Sequence, residues 1–339
     1  MGYPLIFQVE EIYYPVLAAV GVPGKNIKLF TEASPSFFLV NLVAIVILSR
    51  GKCGLSKCIT RYLVGMACAD LLVIISDPIL GGIRLIYFPL SFLDITPVCS
   101  LIEAMVFSST MVSVWLTVAF TFDRFVAICC EKLKTKYCTE RTAAVVIGTV
   151  SVLSCLECAP WYFASAPYSI IDNVSWSCQL KPSYYTSLAW TAFVLFHRIL
   201  TPCVPFFIIL LLNVLTVRRI LVASRVRREH RGRSNGENHK DIEMLNRRKS
   251  ITLLFSITGS FILLWTTEVV VYIYQRITNI YPFSFTDPLY TTESVAGLLQ
   301  LLSSCTNTCI YVLTQTKFRE ELQNVVKYPI NLILKLVKP

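Results

Sequence analysis

Residues 95–130 read ITPVCSLIEAMVFSSTMVSVWLTVAFTFDRFVAICC, with no charged residue between Glu103 and Asp123. A helix rises 1.5 Å per residue, so about 20 such residues cross a hydrocarbon layer of roughly 30 Å. Six other apolar runs lie near residues 34–50, 58–83, 139–164, 186–222, 247–277 and 289–314. None alternates apolar and polar residues as barrel strands do, and a backbone group left unpaired in lipid costs several kcal/mol, so the spans are expected to be helices. Composition agrees: 55% of the 339 residues are hydrophobic and 15% charged, against about 25% charged in soluble domains, and mean hydropathy is +0.61. The expected fold is all-α, a seven-transmembrane helix bundle over residues 34–314. An N-terminal segment, 1–33, precedes it, and a short amphipathic eighth helix with its tail, 315–339, follows.

Basic residues orient this bundle. With the first span ending on the inner side, Arg50, Lys52, Lys57, Arg61, Arg124, Lys132, Lys134, Lys136 and Arg141 share that side. So do eleven Lys and Arg within 218–249 and five after Thr314, in all 25 of the 31 in the chain. Such an excess marks the cytoplasmic face and puts the N-terminus outside, in a multi-pass protein of the plasma membrane. The net charge of +10 then belongs to loops beside membrane lipids and to a surface for an acidic partner, not to nucleic acid. Residues 1–20 include Glu10 and Glu11 and lack a basic start followed by an apolar core, so the first span is expected to serve as signal anchor.

Most of the thirteen cysteines fall in spans or on the reducing side, where they act as small apolar residues or free thiols. Cys99 opens the third span at its outer end and Cys178 lies in the outer loop before the fifth. Both meet an oxidising lumen during synthesis, so a disulfide between them is the economical inference, chance placement being the alternative. Asn173-Val174-Ser175 in the same loop is an N-glycosylation acceptor. Cys155 and Cys158, three apart on one helix, read as packing residues.

At the inner end of the opening stretch stands Asp123-Arg124-Phe125. With Phe in place of Tyr, it resembles the Asp-Arg-Tyr motif of rhodopsin-class (class A) G-protein-coupled receptors, and Arg124 follows Cys99 by the 25 residues usual in that family. Asn41 resembles the asparagine of the first helix and Asp70 the aspartate of the second. Pro205 with Asn213 resembles the fifth-helix pattern, Trp265 the sixth-helix tryptophan switch, and Asn307 with Tyr311 the seventh-helix motif; Phe318 falls where an eighth helix begins. Each motif is weak alone, but in this order on seven spans they are very specific. The text around Asp70, RGKCGLSKCITRYLVGMACADLL, is similar to the orphan branch of probable G-protein coupled receptor 139. The resemblance implies a receptor whose outer ligand biases a two-state bundle. Phe261 and Trp265 repack, Arg124 leaves Asp123, and the inner end of the sixth helix swings to admit a heterotrimeric G protein. Two departures stand out: Thr267 and Thr308 occupy the sites of the sixth- and seventh-helix prolines, so both helices are expected to kink less.

Elementary physics constrains the same residues. Asp70 in mid-bilayer costs about 2.5–3.5 kcal/mol and should face the bundle interior, with Asn41, Ser113, Ser303 and Asn307 as expected partners. The resemblance implies a sodium ion at Asp70 as an allosteric ligand, the alternative being a purely structural hydrogen-bond network; no other cofactor is expected. Arg124 beside Asp123 is expected to hold the inner ends closed until that pair breaks. For the ligand, family pockets open outward among helices three, five, six and seven, which selects Glu103, Phe107, His197, Arg198, Trp265, Glu268, Tyr272, Gln275 and Glu293. Glu268 is the sharpest candidate, one turn above Trp265. His197 and Arg198 are adjacent and are not expected to point into the pocket together. Val106 stands where amine receptors carry aspartate and Leu301 where opsins carry the retinal lysine, which argues against a biogenic amine and excludes a retinal Schiff base. The mixture of acidic, basic and aromatic residues suits a small peptide or an amino-acid-like agonist. With three histidines, no phosphate-cradling loop and no paired CxxC, no enzyme is expected. A multi-span transporter or a non-signalling receptor variant are the rivals.

The variant reading comes from residues 21–45, GVPGKNIKLFTEASPSFFLVNLVAI. Lys25, Lys28 and Glu32 at mid-bilayer would cost roughly 8–10 kcal/mol. A helix started by Ser34-Pro35 leaves about 16 residues, or about 24 Å. Joining Gly24 to Asn41 restores a full span, so residues 25–40 read as an insertion that divides the first helix and threatens the packing of Asn41 against Asp70.

Overall fold

The computed structural model describes residues 27–81, 91–230, 238–278 and 288–337. Eight principal helices follow in chain order: α1 (Ile27–Ser49), α2 (Lys57–Ile74), α3 (Thr96–Cys129), α4 (Glu140–Cys158), α5 (Leu188–Arg198 and Val204–His230), α6 (Asn238–Thr278), α7 (Pro288–Thr314) and α8 (Thr316–Val337). Six of them, α2 to α7, are long and apolar enough to cross a membrane, and α1 adds a seventh whose apolar part, Ser36–Ser49, is shorter. Local chemistry sets several boundaries. The Ser56 hydroxyl accepts a hydrogen bond from the Ile59 N–H ahead of α2, and Thr139 does the same for Thr142 ahead of α4. Proline sits in the first turn of α3, where its missing N–H would have had no partner.

Two helices contain an internal proline inside a π turn: Pro78 within Ile75–Gly81, which continues α2, and Pro202 within Ile199–Cys203, which joins the halves of α5. A proline ring clashes with the carbonyl four residues back and cannot donate to it; widening the turn relieves both problems. By contrast α6 and α7 run without interruption over 41 and 27 residues, as Thr267 and Thr308 lead one to expect.

Helix α3 is the axis of the bundle, packed against α2, α4, α5 and α6, while α6 and α7 lie along each other. One apolar cluster, with Leu63, Met66, Phe120, Leu254, Tyr311 and Phe318 buried, fills the end near Arg124; another gathers Val114, Val118, Ile209, Phe261, Leu264 and Trp265 at mid-depth. The opposite end is covered by an antiparallel hairpin, β1 (Ser165–Ile171) and β2 (Val174–Leu180). Ile171 pairs with Val174, leaving Asp172 and Asn173 as the two loop residues at φ 50° and 60°, the left-handed pair that a type I′ turn requires. The Cys99–Cys178 disulfide bolts β2 to the first turn of α3, and the Thr96 hydroxyl donates to the Ser177 carbonyl at 2.9 Å.

Two boundaries differ from expectation. Helix α1 begins at Ile27 and passes through Ser34-Pro35 instead of starting there, so the 23 residues reach about 35 Å. The 14 residues of Ser36–Ser49 alone span about 21 Å, too short for the bilayer, and membrane helices tolerate the single ladder bond that a proline removes. Residues 27–40 are helical; the join of residues 11–24 to Asn41 lies outside the described residues. Helix α8 likewise runs through Tyr328-Pro329, where a proline would be expected to end it, to Val337, because the apolar period of Phe318, Leu322 and Val325 resumes beyond the proline at Ile333 and Leu336.

Candidate functional site

Three polar sites lie along the α3 axis, from the hairpin end to the Arg124 end. The first is a cavity of about 300 Å³ walled by α3, α5, α6 and α7. Phe107, His197, Arg198, Trp265, Glu268, Tyr272, Gln275 and Glu293 all line it. Its carboxylates are bonded across helices: Arg198 of α5 donates to Glu268 of α6 as an ion pair, and the neutral amide of Gln275 of α6 donates to Glu293 of α7. Tyr272 is buried with the Arg276 guanidinium 5.5 Å above its ring. Glu103 does not line this cavity. Its carboxylate accepts a 2.8 Å hydrogen bond from Ser165, so the hairpin claims it. His197 and Arg198, expected to exclude each other, both border the cavity because they point to opposite flanks, one toward α4 and the other toward α6.

Helix α4 holds a residue that spacing and motifs missed. Glu157 accepts from His197, with Nδ1 3.1 Å from both carboxylate oxygens, and from the Cys158 thiol at 3.1 Å. The signal for it was an ionisable residue inside a span, which by default needs a named partner. That partner is 40 residues away on another helix, beyond the reach of periodicity. Cys158 is therefore more than a packing residue, whereas Cys155 is exposed.

Trp265 lies stacked on Phe261, with ring centroids 5.3 Å apart, and lines both this cavity and a deeper one of about 140 Å³. Beside the deeper cavity is the second site. Asp70 is fully buried and accepts from Ser113 Oγ at 2.6 Å and from Asn307 Nδ2 at 2.8 Å. Two expected partners are elsewhere. Asn41 donates to the main-chain carbonyls of Phe37 and Ser304, each at 3.3 Å, spending its N–H groups on its own α1 turn and on the α7 backbone. Ser303 lines the deeper cavity without bonding Asp70; the carboxylate oxygens are already taken by Ser113 and Asn307. The Asn41 side-chain oxygen and the hydroxyls of Thr308 and Tyr311 are buried with no hydrogen-bond partner among the described residues.

The third site is the Arg124 end. Asp123 and Arg124 are both buried and form an ion pair, Nε donating at 3.0 Å and Nη2 to the same oxygen. Nη1 reaches Ser250 of α6 at 3.3 Å, and the Cys58 thiol of α2 donates to the other Asp123 oxygen at 3.1 Å. One carboxylate thereby links α2 to α3, and its arginine links α3 to α6. Phe125 is half-buried beside them. Between α3 and α4, burial, reinforced by the Asp123 charge and hydrogen bond, pushes the Cys138 thiol up to about 11.

A helical bundle of membrane-crossing segments, with a ligand-sized cavity under a disulfide-bolted hairpin and a buried arginine lock at the far end, defines a seven-helix membrane receptor. Residues 40–311 match the 7 transmembrane receptor (rhodopsin family), and the chain belongs to that family. It is similar to the sex peptide receptor of Drosophila melanogaster, 22% identical over 350 residues that cover 96% of this chain and 78% of that receptor. The protein is accordingly a receptor and not an enzyme.

Proposed function

We propose that this receptor binds a small zwitterionic agonist, a short peptide or an aromatic amino acid, in the cavity above Trp265, and activates a heterotrimeric G protein at the Arg124 end. The observation that carries the reading is the Arg198–Glu268 pair across the cavity: a ligand carboxylate takes the guanidinium and a ligand ammonium takes Glu268 or Glu293, exchanging one charge match for another. At about 300 Å³ the space suits one aromatic side chain with its backbone, near the lower end of ligand pockets. The similar receptor named for a peptide supports the peptide alternative. Orientation follows the basic loops: Arg124 inside, the hairpin and N-terminus outside at the plasma membrane, and Asn173, exposed at the hairpin tip, open to glycosylation.

Agonist binding pulls α6 through Glu268, Trp265 and Phe261 repack, and Ser250 withdraws from Arg124. Moving such a two-state bundle from 1:99 to 99:1 requires about 5.5 kcal/mol of preference for the active form. The oxygens of Asp70 and Ser113, 2.6 Å apart, suit a hard monovalent cation, and these two residues would hold sodium. Such an ion would supply charge compensation for the buried carboxylate. The non-signalling alternative rests on a division of the first helix ahead of Asn41, and the screen below separates it from a signalling receptor.

The test is a screen of surface-expressed receptor against amino acids and short peptides, reading calcium and cyclic AMP together. An active compound should lose at least tenfold in potency with Glu268→Gln and with Arg198→Ala. Unaltered potency in both variants would overturn this placement.

A further inference from the structure

We propose that Glu157, Cys158 and His197 form a zinc site that clips α4 to α5 inside the bundle. The donor atoms, a Glu157 carboxylate oxygen, Cys158 Sγ and His197 Nδ1, all lie within 4.8 Å of one another. Two of the separations are 3.1 Å, and tetrahedral Zn²⁺ with bonds of 2.0–2.3 Å sets its ligands roughly 3.3–3.8 Å apart. Opening those two by a few tenths of an ångström brings them to tetrahedral spacing. The side chains are already gathered and nearly enclosed: His197 is 5% exposed and Glu157 11%. Aromatic rings hold the imidazole in place, Phe107 at 5.5 Å and Trp161 at 5.4 Å, both edge-on.

Chemistry selects the metal. One oxygen, one nitrogen and one sulfur ligand with a fourth position open is a zinc donor set, whereas calcium and magnesium take oxygen ligands and several of them. Charge balance favours it in a membrane interior. Carboxylate and thiolate together cancel the dication, so the occupied site is neutral; forming it releases the thiol proton to solvent. The ion has a route, because His197 and Phe107 also wall the outer cavity. Occupancy fixes the α5 wall of that cavity next to Arg198, which makes zinc a modulator of whatever the cavity binds. The site itself does not depend on the agonist proposed above.

The experiment uses full-length receptor purified in lipid nanodiscs and titrated with zinc against a competing chelator. One zinc per chain is expected, with a rise in thermal midpoint. Cys158→Ser and His197→Gln should each weaken binding at least tenfold, and Cys155→Ser should leave it unchanged. Cobalt substitution should give thiolate-to-metal charge-transfer absorption in the unaltered receptor, abolished by zinc. Zinc affinity unmoved by Cys158→Ser and His197→Gln would place the ion elsewhere and overturn the proposal. If either variant fails to fold, the cobalt spectrum decides: absence of the charge-transfer band in the unaltered receptor sinks the site. Zinc binding without any effect of these variants on agonist potency says nothing for the agonist pocket, so the two proposals fail separately.

Discussion

Helices α2 and α5 carry Pro78 and Pro202 and open into π turns around them, whereas α6 and α7 carry Thr267 and Thr308 where related receptors have proline and run unbroken. In α2 and α5 the widened turn is built around a proline, whereas α1 and α8 carry Pro35 and Pro329 without leaving the α-helix, so proline permits the defect and does not dictate it. The contrast also divides the molecule mechanically. The α2 and α5 walls have built-in soft turns, and the α6–α7 pair, the most closely associated in the bundle, behaves as a rod. In the activation proposed above, α6 would then tilt as a rigid body about the Phe261–Trp265 level instead of straightening a kink.

The largest effect expected from breaking this contrast comes from Thr267→Pro. Proline there deletes the hydrogen bond to the Leu263 carbonyl and pushes its ring into that turn, at about 3 kcal/mol or more. The thermal midpoint of purified receptor should drop and basal signalling should rise as α6 gains a hinge. An unchanged midpoint would mean that α6 is already broken at this level. The second effect is at the far end of the rod. Asp123→Asn removes the charge from the hydrogen bonds that hold Arg124 toward Ser250; charged bonds contribute about 1.5–3 kcal/mol, so basal activity should rise roughly tenfold. Equal basal activity at matched surface expression would count against the lock.

Two threonines of the stiff pair sharpen the comparison with opposite signs. The Thr258 hydroxyl of α6 lies 3.2 Å from the Asn213 side-chain oxygen of α5 and 2.8 Å from the Leu254 carbonyl of its own helix, so Thr258→Val removes the hydroxyl those two acceptors share and should destabilise by about 1–3 kcal/mol. The buried Thr308 hydroxyl in α7 has no partner among the described residues, so Thr308→Val should be neutral or stabilise by up to about 1 kcal/mol. If both variants destabilise alike, Thr308 is satisfied in the membrane and the α7 ladder is less regular than drawn.

Much of this was legible in the sequence, for stated physical reasons. Spans declare themselves through length and hydropathy, and Cys99 with Cys178 through topology. The unbroken α6 and α7 follow from two missing prolines. What stayed hidden was pairing between distant helices. Asn41 carries no mark that its amide turns to the Ser304 carbonyl instead of Asp70, and Glu103 none that Ser165 will claim it. Glu157 and His197 find each other only when α4 and α5 are laid side by side. The start of α1 was misplaced because Ser-Pro is a good local start signal, and local signals lose when the bilayer demands length.

The smallest expected effect probes the inner end of the rod through Cys138, which lies between the spans. Its thiol donates toward the Asp123 main-chain carbonyl at 3.5 Å, and burial first, then the Asp123 charge, disfavour the thiolate and raise its pKa to about 11. Only the thiolate reacts with iodoacetamide, and at pH 7.5 a thiol of that pKa is ionised to about 3 parts in 10,000. Labelling resolved by peptide mass spectrometry should therefore be slow at neutral pH and rise about tenfold per pH unit until pH approaches 11. Agonist that separates Arg124 from Ser250 opens this end, lightens the burial term and should speed labelling at fixed pH, while Thr267→Pro should mimic that acceleration without agonist. Labelling that is fast at pH 7.5 in the resting receptor would show that the inner end is open to water already, and the rod would then have no closed state to leave.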